Sequence, residues 1–130
     1  GILLKEDLIN KVEAVETSEI TISHHLNDRA FDAVCAVNEL FAVTIIKTAA
    51  KMGLKVPEDL AVIAFTDGII SKYSTPTITT VSQSGEKMGN KAAKMLIERI
   101  EAEEDEDEEH TENYTTEVIE THLIKRESTD

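Results

Sequence analysis

Two runs decide how this chain is read: Phe31-Asp32-Ala33-Val34-Cys35-Ala36-Val37 and Leu60-Ala61-Val62-Ile63-Ala64-Phe65. Each is of strand length and almost unbroken in its apolar character, the mark of a strand covered on both faces. Between them, Asn38 is placed to cap a helix over residues 39–52, Gly53 to stop it, and Pro57 to confirm the break. Strand, helix and strand in that order predict a right-handed βαβ unit within a parallel sheet. Cys35, inside the first run, is expected to be inert packing.

Working outward, residues 12–15 offer a short strand, and residues 18–26 read as a helix with Ile20, Ile22 and Leu26 apolar. Asp67-Gly68 reads as a turn, followed by a short helical turn near 69–73 and an extended crossing segment at 79–81. Residues 85–101 form a further helix, with Met88, Ala92, Met95, Leu96 and Ile100 on one stripe. The segments 114–119 and 121–124 are rich in β-formers and are expected to be extended, with a kink or lobe change near Glu120. The fold class is therefore α/β, built on a Rossmann-like parallel sheet.

Charge is distributed unevenly. The chain has 130 residues and a formal net charge of −13, yet residues 101–112 hold nine carboxylates and no lysine or arginine. Without that window the remainder carries only −4. The acidic run at 103–109 is too dense in like charge to pack and is expected as a solvated loop. It lacks the spaced ligands and glycine of a calcium loop. No basic face is available to grip a nucleic-acid backbone. A single cysteine forms no internal disulfide, which fits a reducing compartment. No apolar run approaches the ~20 residues that span a bilayer. The opening Gly1-Ile2-Leu3-Leu4 shows no leader pattern and looks like the middle of something longer.

Catalytic and metal constellations are missing from the sequence. Ser82-Gln83-Ser84-Gly85 lacks the first glycine of a nucleophile elbow. His24 and His25 are adjacent, so on a helix they point about 100° apart and do not share a metal. Gly85 and Gly89 match no phosphate-loop spacing. No enzyme activity, cofactor or metal is expected.

What remains informative sits where strands end, because open α/β sheets bind ligands beyond the carboxyl ends of their strands. Asn38 ends the first run, Thr66 and Asp67 end the second, and Gln83 follows the third. These four polar side chains suit a neutral polar ligand such as a sugar or nucleoside. Asn38 serves equally as a helix cap, and Asp67 is placed to cap the turn at 69–73. The helix over 39–52 is apolar on two sides. Phe41, Ile45, Ala49 and Met52 form one stripe and Leu40, Val43, Ile46 and Ala50 another. One stripe covers the sheet; the second meets either the same chain or a second subunit.

The same segments carry a family resemblance. Residues 31–40, 52–65 and 73–83, together with Met88-Gly89-Asn90-Lys91-Ala92-Ala93 and the closing Ile124-Lys125-Arg126-Glu127-Ser128-Thr129, resemble in order the effector domains of lactose-repressor (LacI/GalR) family regulators. The resemblance covers residues 31–129; residues 1–30 match in layout alone. It implies a two-lobed periplasmic-binding-protein-like fold of which this chain is a part. Residues 1–80 would be most of the C-terminal lobe, 81–118 would belong to the N-terminal lobe, including the acidic loop, and 119–130 would return. The DNA-binding headpiece would be absent.

The resemblance also implies roles. The residue matching Asn38 contacts effector in the family, and so does an aspartate where this chain has Thr66; the second aspartate of that pair is Asp67. Gln83 matches a position lining the cleft. A homodimer interface is implied at Leu40, Val43, Ile46, Lys47, Ile70, Tyr73 and Ser74. The expected function is effector sensing and dimerisation in a cytoplasmic transcriptional regulator, reaching operator DNA only through the headpiece and without a membrane partner. The alternative is a periplasmic sugar-binding protein of the same fold.

Overall fold

Asn38 does cap a helix. In a computed structural model, which describes residues 9, 11–12, 14–27, 31–104 and 115–130, its Oδ1 accepts from the Leu40 and Phe41 backbone N–H groups, both at 3.1 Å. The elements in chain order are α1 (Val15–Asn27), β1 (Ala33–Ala36), α2 (Glu39–Lys51), β2 (Ala61–Phe65), α3 (Ile69–Tyr73), β3 (Thr79–Ser82), α4 (Gly85–Glu104) and β4 (His122–Ile124). Gly53 ends α2 with a φ of 76°, a left-handed conformation that glycine adopts at little cost.

The four strands form one sheet in the order β1-β2-β3-β4. β1 runs parallel to β2 with Val34 beside Val62, and β2 runs parallel to β3 with Ala64 beside Thr80. β4 is antiparallel to β3. The core gathers where α2 lies on the sheet: Ala42, Ile45, Ile46 and Ala49 are buried with Ala36, Val62, Ala64, Leu60 and Ile78. α1 packs on α2, and Glu19 of α1 pairs with Lys51 at the end of α2.

Four expectations need correction. The residues proposed as a strand at 12–15 are not one, and Val15 opens α1. Val15, Ser18, Ile22 and Leu26 recur at helical spacing, with Ser18 and Leu26 buried, so a stripe of period 3.6 prevails over a four-residue alternation. Among the described residues the two apolar runs are fully covered on one face only. Val62, Ala64 and Ala36 are buried, whereas Ala33, Cys35 and Phe65, one residue out of step, are exposed. Among the described residues α2 packs on one face of β1 and β2, and period 2 turns the alternate residues to the other face, where Ala61 and Ile63 are half-buried. Cys35 is accordingly an exposed thiol rather than core packing. Finally, α4 continues to Glu104, because glutamate favours helix, so the acidic run begins inside it. Residues 105–109 and 114 lie outside the described residues. Residues 115–119 form no strand, and of 121–124 only His122–Ile124 does.

Candidate functional site

Parallel pairing places the ends of β1, β2 and β3 on one edge of the sheet. Asn38 follows β1, Thr66 and Asp67 follow β2, and Gln83 follows β3. The two residues after β2 behave differently. Thr66 is exposed and holds a φ of 74°, rare for a β-branched residue, while its N–H donates to the Val81 carbonyl at 3.1 Å. Ser84, just past β3, also has a positive φ, 52°. Non-glycine residues held in this region gather where the surrounding structure over-determines the backbone, which is common at binding sites. Gln83 is exposed.

Asp67 turns inward. Its Oδ1 accepts from Arg126 Nη2 at 2.5 Å and from Thr80 Oγ1 at 3.0 Å, and Lys72 Nζ stands 3.4 Å from Oδ2. The side chains of Asp67 and Arg126 are only 13% and 15% exposed, so this is a largely enclosed ion pair. Burial by itself would raise the Asp67 carboxyl. Hydrogen bonds from Arg126 and Thr80, with the charges of Arg126 and Lys72, outweigh it and hold the group below its usual value. Asp67 does not cap α3 through backbone bonds: its links to that turn are the Ser71 hydroxyl, at 3.5 Å, and the Lys72 ammonium. The α3 N–H groups of Gly68 and Ser71 go instead to Glu39 of α2.

Arg126 and Glu39 are the polar side chains whose roles the sequence did not announce. Their partners lie 59 and 29–32 residues away, beyond the reach of any local pattern. Around Arg126 the closing segment is knitted to the sheet. Arg126 Nη1 donates to the Ile78 carbonyl, and the Ser128 hydroxyl, fully buried, donates to the Val62 carbonyl while accepting from Thr79 N–H.

The residues implied at a subunit contact divide. Tyr73 is 82% exposed, Leu40 47% and Ile70 37%, and Lys47 is solvated. Ser74 is half-buried, with its hydroxyl on the Pro76 carbonyl. Val43 is half-buried against the core, and Ile46 belongs to it. Ile46 is buried between α2 and the sheet in this chain.

A cavity of about 670 Å³ lies between α1 and β1 and extends along β1 to Val37 and Phe41. Its walls are mainly apolar, with Ile22, Leu26, Phe31, Val34, Phe41 and Ile45, and the polar residues Ser18, Thr21 and His25 all come from α1, whereas the carboxyl edge gathers polar groups from the ends of three strands. Among the described residues no group of three or more His, Cys, Asp or Glu side chains is placed to hold a metal, and no helix is long and apolar enough to cross a membrane.

A mostly parallel open sheet with polar groups at its carboxyl edge is a plan on which α/β proteins bind ligands, and the periplasmic binding protein-like domain model matches residues 4–129. The chain belongs to that family. Within it, the HTH-type transcriptional regulator CelR of Thermobifida fusca is 33% identical over 134 residues, a match taking in 98% of this chain and 36% of the relative. A solved CelR–cellobiose complex superposes with a TM-score of 0.76 at 32% identity, over 98% of this chain and 37% of that one. A LacI-family regulator of Enterococcus faecium with bound ribose gives 0.73 at 25% identity, over 88% and 40%. The relatives of this periplasmic-binding-protein-like chain are thus LacI-type transcriptional regulators, and the chain spans little more than a third of their length.

Proposed function

We propose that this chain is the effector-sensing and dimerising part of a LacI-type transcriptional regulator. What supports the proposal is that Asn38, Thr66 and Gln83 each follow one of three parallel strands at the carboxyl edge of the sheet. The ligand is a small neutral polar molecule, and a sugar fits best. Asn38 spends its oxygen on α2 and keeps its amide N–H groups for a ligand hydroxyl. Thr66 offers a hydroxyl where the family carries a carboxylate. Asp67, neutralised by Arg126, shapes the edge from behind and supplies little direct contact.

Residues 1–80 are read as most of one lobe, 81–118 as elements of the facing lobe, and 119–130 as the return. The half-exposed stripe of Met88, Leu96, Ile97 and Ile100 on α4 supports that division, since it is patterned to meet a surface that the described residues do not supply. Closure of the two lobes on ligand would alter dimer geometry, and with it operator affinity through a separate headpiece. The regulator acts in the cytoplasm, beside the DNA it controls.

Calorimetry with cellobiose and ribose on a protein carrying both lobes tests the reading. Asn38→Ala should weaken binding by ~1–3 kcal/mol, the range for a buried polar group that loses its partner; unchanged binding in both Asn38→Ala and Gln83→Ala would sink it. The dimer contact is placed on Leu40, Ile70 and Tyr73, with Lys47 at its rim. Tyr73→Asp should shift sedimentation toward monomer, and a strictly monomeric parent at high concentration removes the contact.

A further inference from the structure

Glu39 occupies a junction that the proposed cleft does not use directly. It is the first residue of α2 and follows Asn38. Its Oε2 accepts from the backbone N–H of Gly68 at 3.1 Å and of Ser71 at 3.0 Å. Gly68 is the N-cap of α3 and has no side chain with which to cap it, so a carboxylate from another helix takes that role.

The carboxylate lies close against the glycine. A Cβ on Gly68 would stand 2.2 Å from Glu39 Oε1 and 2.8 Å from its Cδ. The φ of Gly68 is −90°, which any residue adopts, so a side chain here would be opposed by the Glu39 carboxylate alone, which would have to swing away and give up its two bonds. One side chain therefore ties the start of α2, where Asn38 sits, to the end of the segment that carries Thr66. Beyond it lies α3, whose Ile69 and Tyr73 are 72% and 82% exposed.

We infer that Glu39 is a positioning residue that locks the first turn of α2 to the first turn of α3, holding Asn38 and Thr66 at a fixed separation and passing any displacement of Asn38 to the exposed apolar turn Ile69–Tyr73. The inference rests on the cleft reading for the meaning given to Asn38 and Thr66. The lock itself does not, and coupling of this kind is established by measured non-additivity rather than by proximity.

The test is hydrogen exchange on the full chain without any ligand, followed at the Ser71 amide. Glu39→Ala should speed exchange about tenfold or more, as expected for a lost hydrogen bond to a charged group. Gly68→Ala, which expels the carboxylate, should do the same, and the double variant should go no further. Glu39→Gln, whose amide oxygen accepts the same two bonds, should restore most of the protection. Asn38→Ala, which releases the first turn of α2, should speed Ser71 exchange in the parent and add nothing once Glu39 is alanine. Ser71 protection indifferent to Glu39→Ala, no recovery with Glu39→Gln, or additive effects of Asn38→Ala and Glu39→Ala would each overturn the inference. Failure of cellobiose and ribose to bind would strike the cleft reading alone and leave the lock standing.

Discussion

The closing segment around Arg126–Ser128 and the long helix α4 lie on either side of β4, and they are held in opposite ways. The first is short and polar, yet Ser128 is fully buried and every hydrogen-bonding side chain described there has a partner. Arg126 reaches Asp67, Ile78 and Thr80, and Ser128 bridges β2 and β3. The second has twenty residues and an apolar stripe, but Leu96, Ile97 and Ile100 are each at least half exposed. The ties described for α4 include the Lys91–Glu117 ion pair at 2.8 Å and the Ser84 hydroxyl on the Glu120 carbonyl. Hydrophobicity alone would rank the two regions the wrong way round. Completed polar networks fasten the first, while the second carries a pattern whose matching surface is not among the described residues.

Substitutions in the knitted segment should therefore cost more than those on the apolar helix, and the largest effect is expected at the ion pair. Arg126→Met leaves the Asp67 carboxylate enclosed without its main counter-charge and should lower stability by about 3 kcal/mol, read as a shift in the urea midpoint. A loss below about 0.5 kcal/mol, the scale of an ordinary surface change, would break the contrast. Ser128→Ala strands the Thr79 N–H and the Val62 carbonyl in the interior, and about 2 kcal/mol should follow by the same measurement.

Acid should act on the same segment. The Asp67 carboxyl is held below its ordinary value in the folded chain, so the unfolded state binds more protons in that range. Its contribution is fully present above the unfolded pKa of about 3.9 and is lost as pH falls through the lower folded value. A stability profile against pH should fall through that window, and Asp67→Asn should flatten part of the fall. An identical profile in the variant would show that the pair with Arg126 does not govern it. The smallest effect is expected on α4: Leu96→Gln should stay within about 0.5 kcal/mol in this chain. A much larger loss would mean that the stripe is already covered and would remove the support α4 gives to a facing lobe.

Legibility followed the range of the forces involved. The Asn38 cap, the Gly53 stop and both strand runs around α2 were readable because their signals lie within a few residues of what they specify. The candidate edge was readable for the same reason, since parallel topology carries the ends of successive strands to one side. The misread strand at 12–15 shows the limit of a short pattern, in which Val12 and Ala14 suit period 2 while Val12 and Val15 suit a helical spacing. Cys35 shows another limit, because an apolar run does not say whether one face or both will be covered.

By itself the sequence determined an α/β chain with a βαβ unit, the family to which it belongs, and the placing of Asn38, Thr66, Asp67 and Gln83 at strand ends. All of these follow from periodicity, capping chemistry and ordered motifs, which are local along the chain. Tertiary structure alone decided that Asp67 faces Arg126 rather than the open edge, that Ile46 is core, and that Glu39 caps α3 with its carboxylate against Gly68. Those outcomes depend on which side chains meet across tens of residues, and a carboxylate in a sequence looks the same whether it will meet water, a ligand or an arginine.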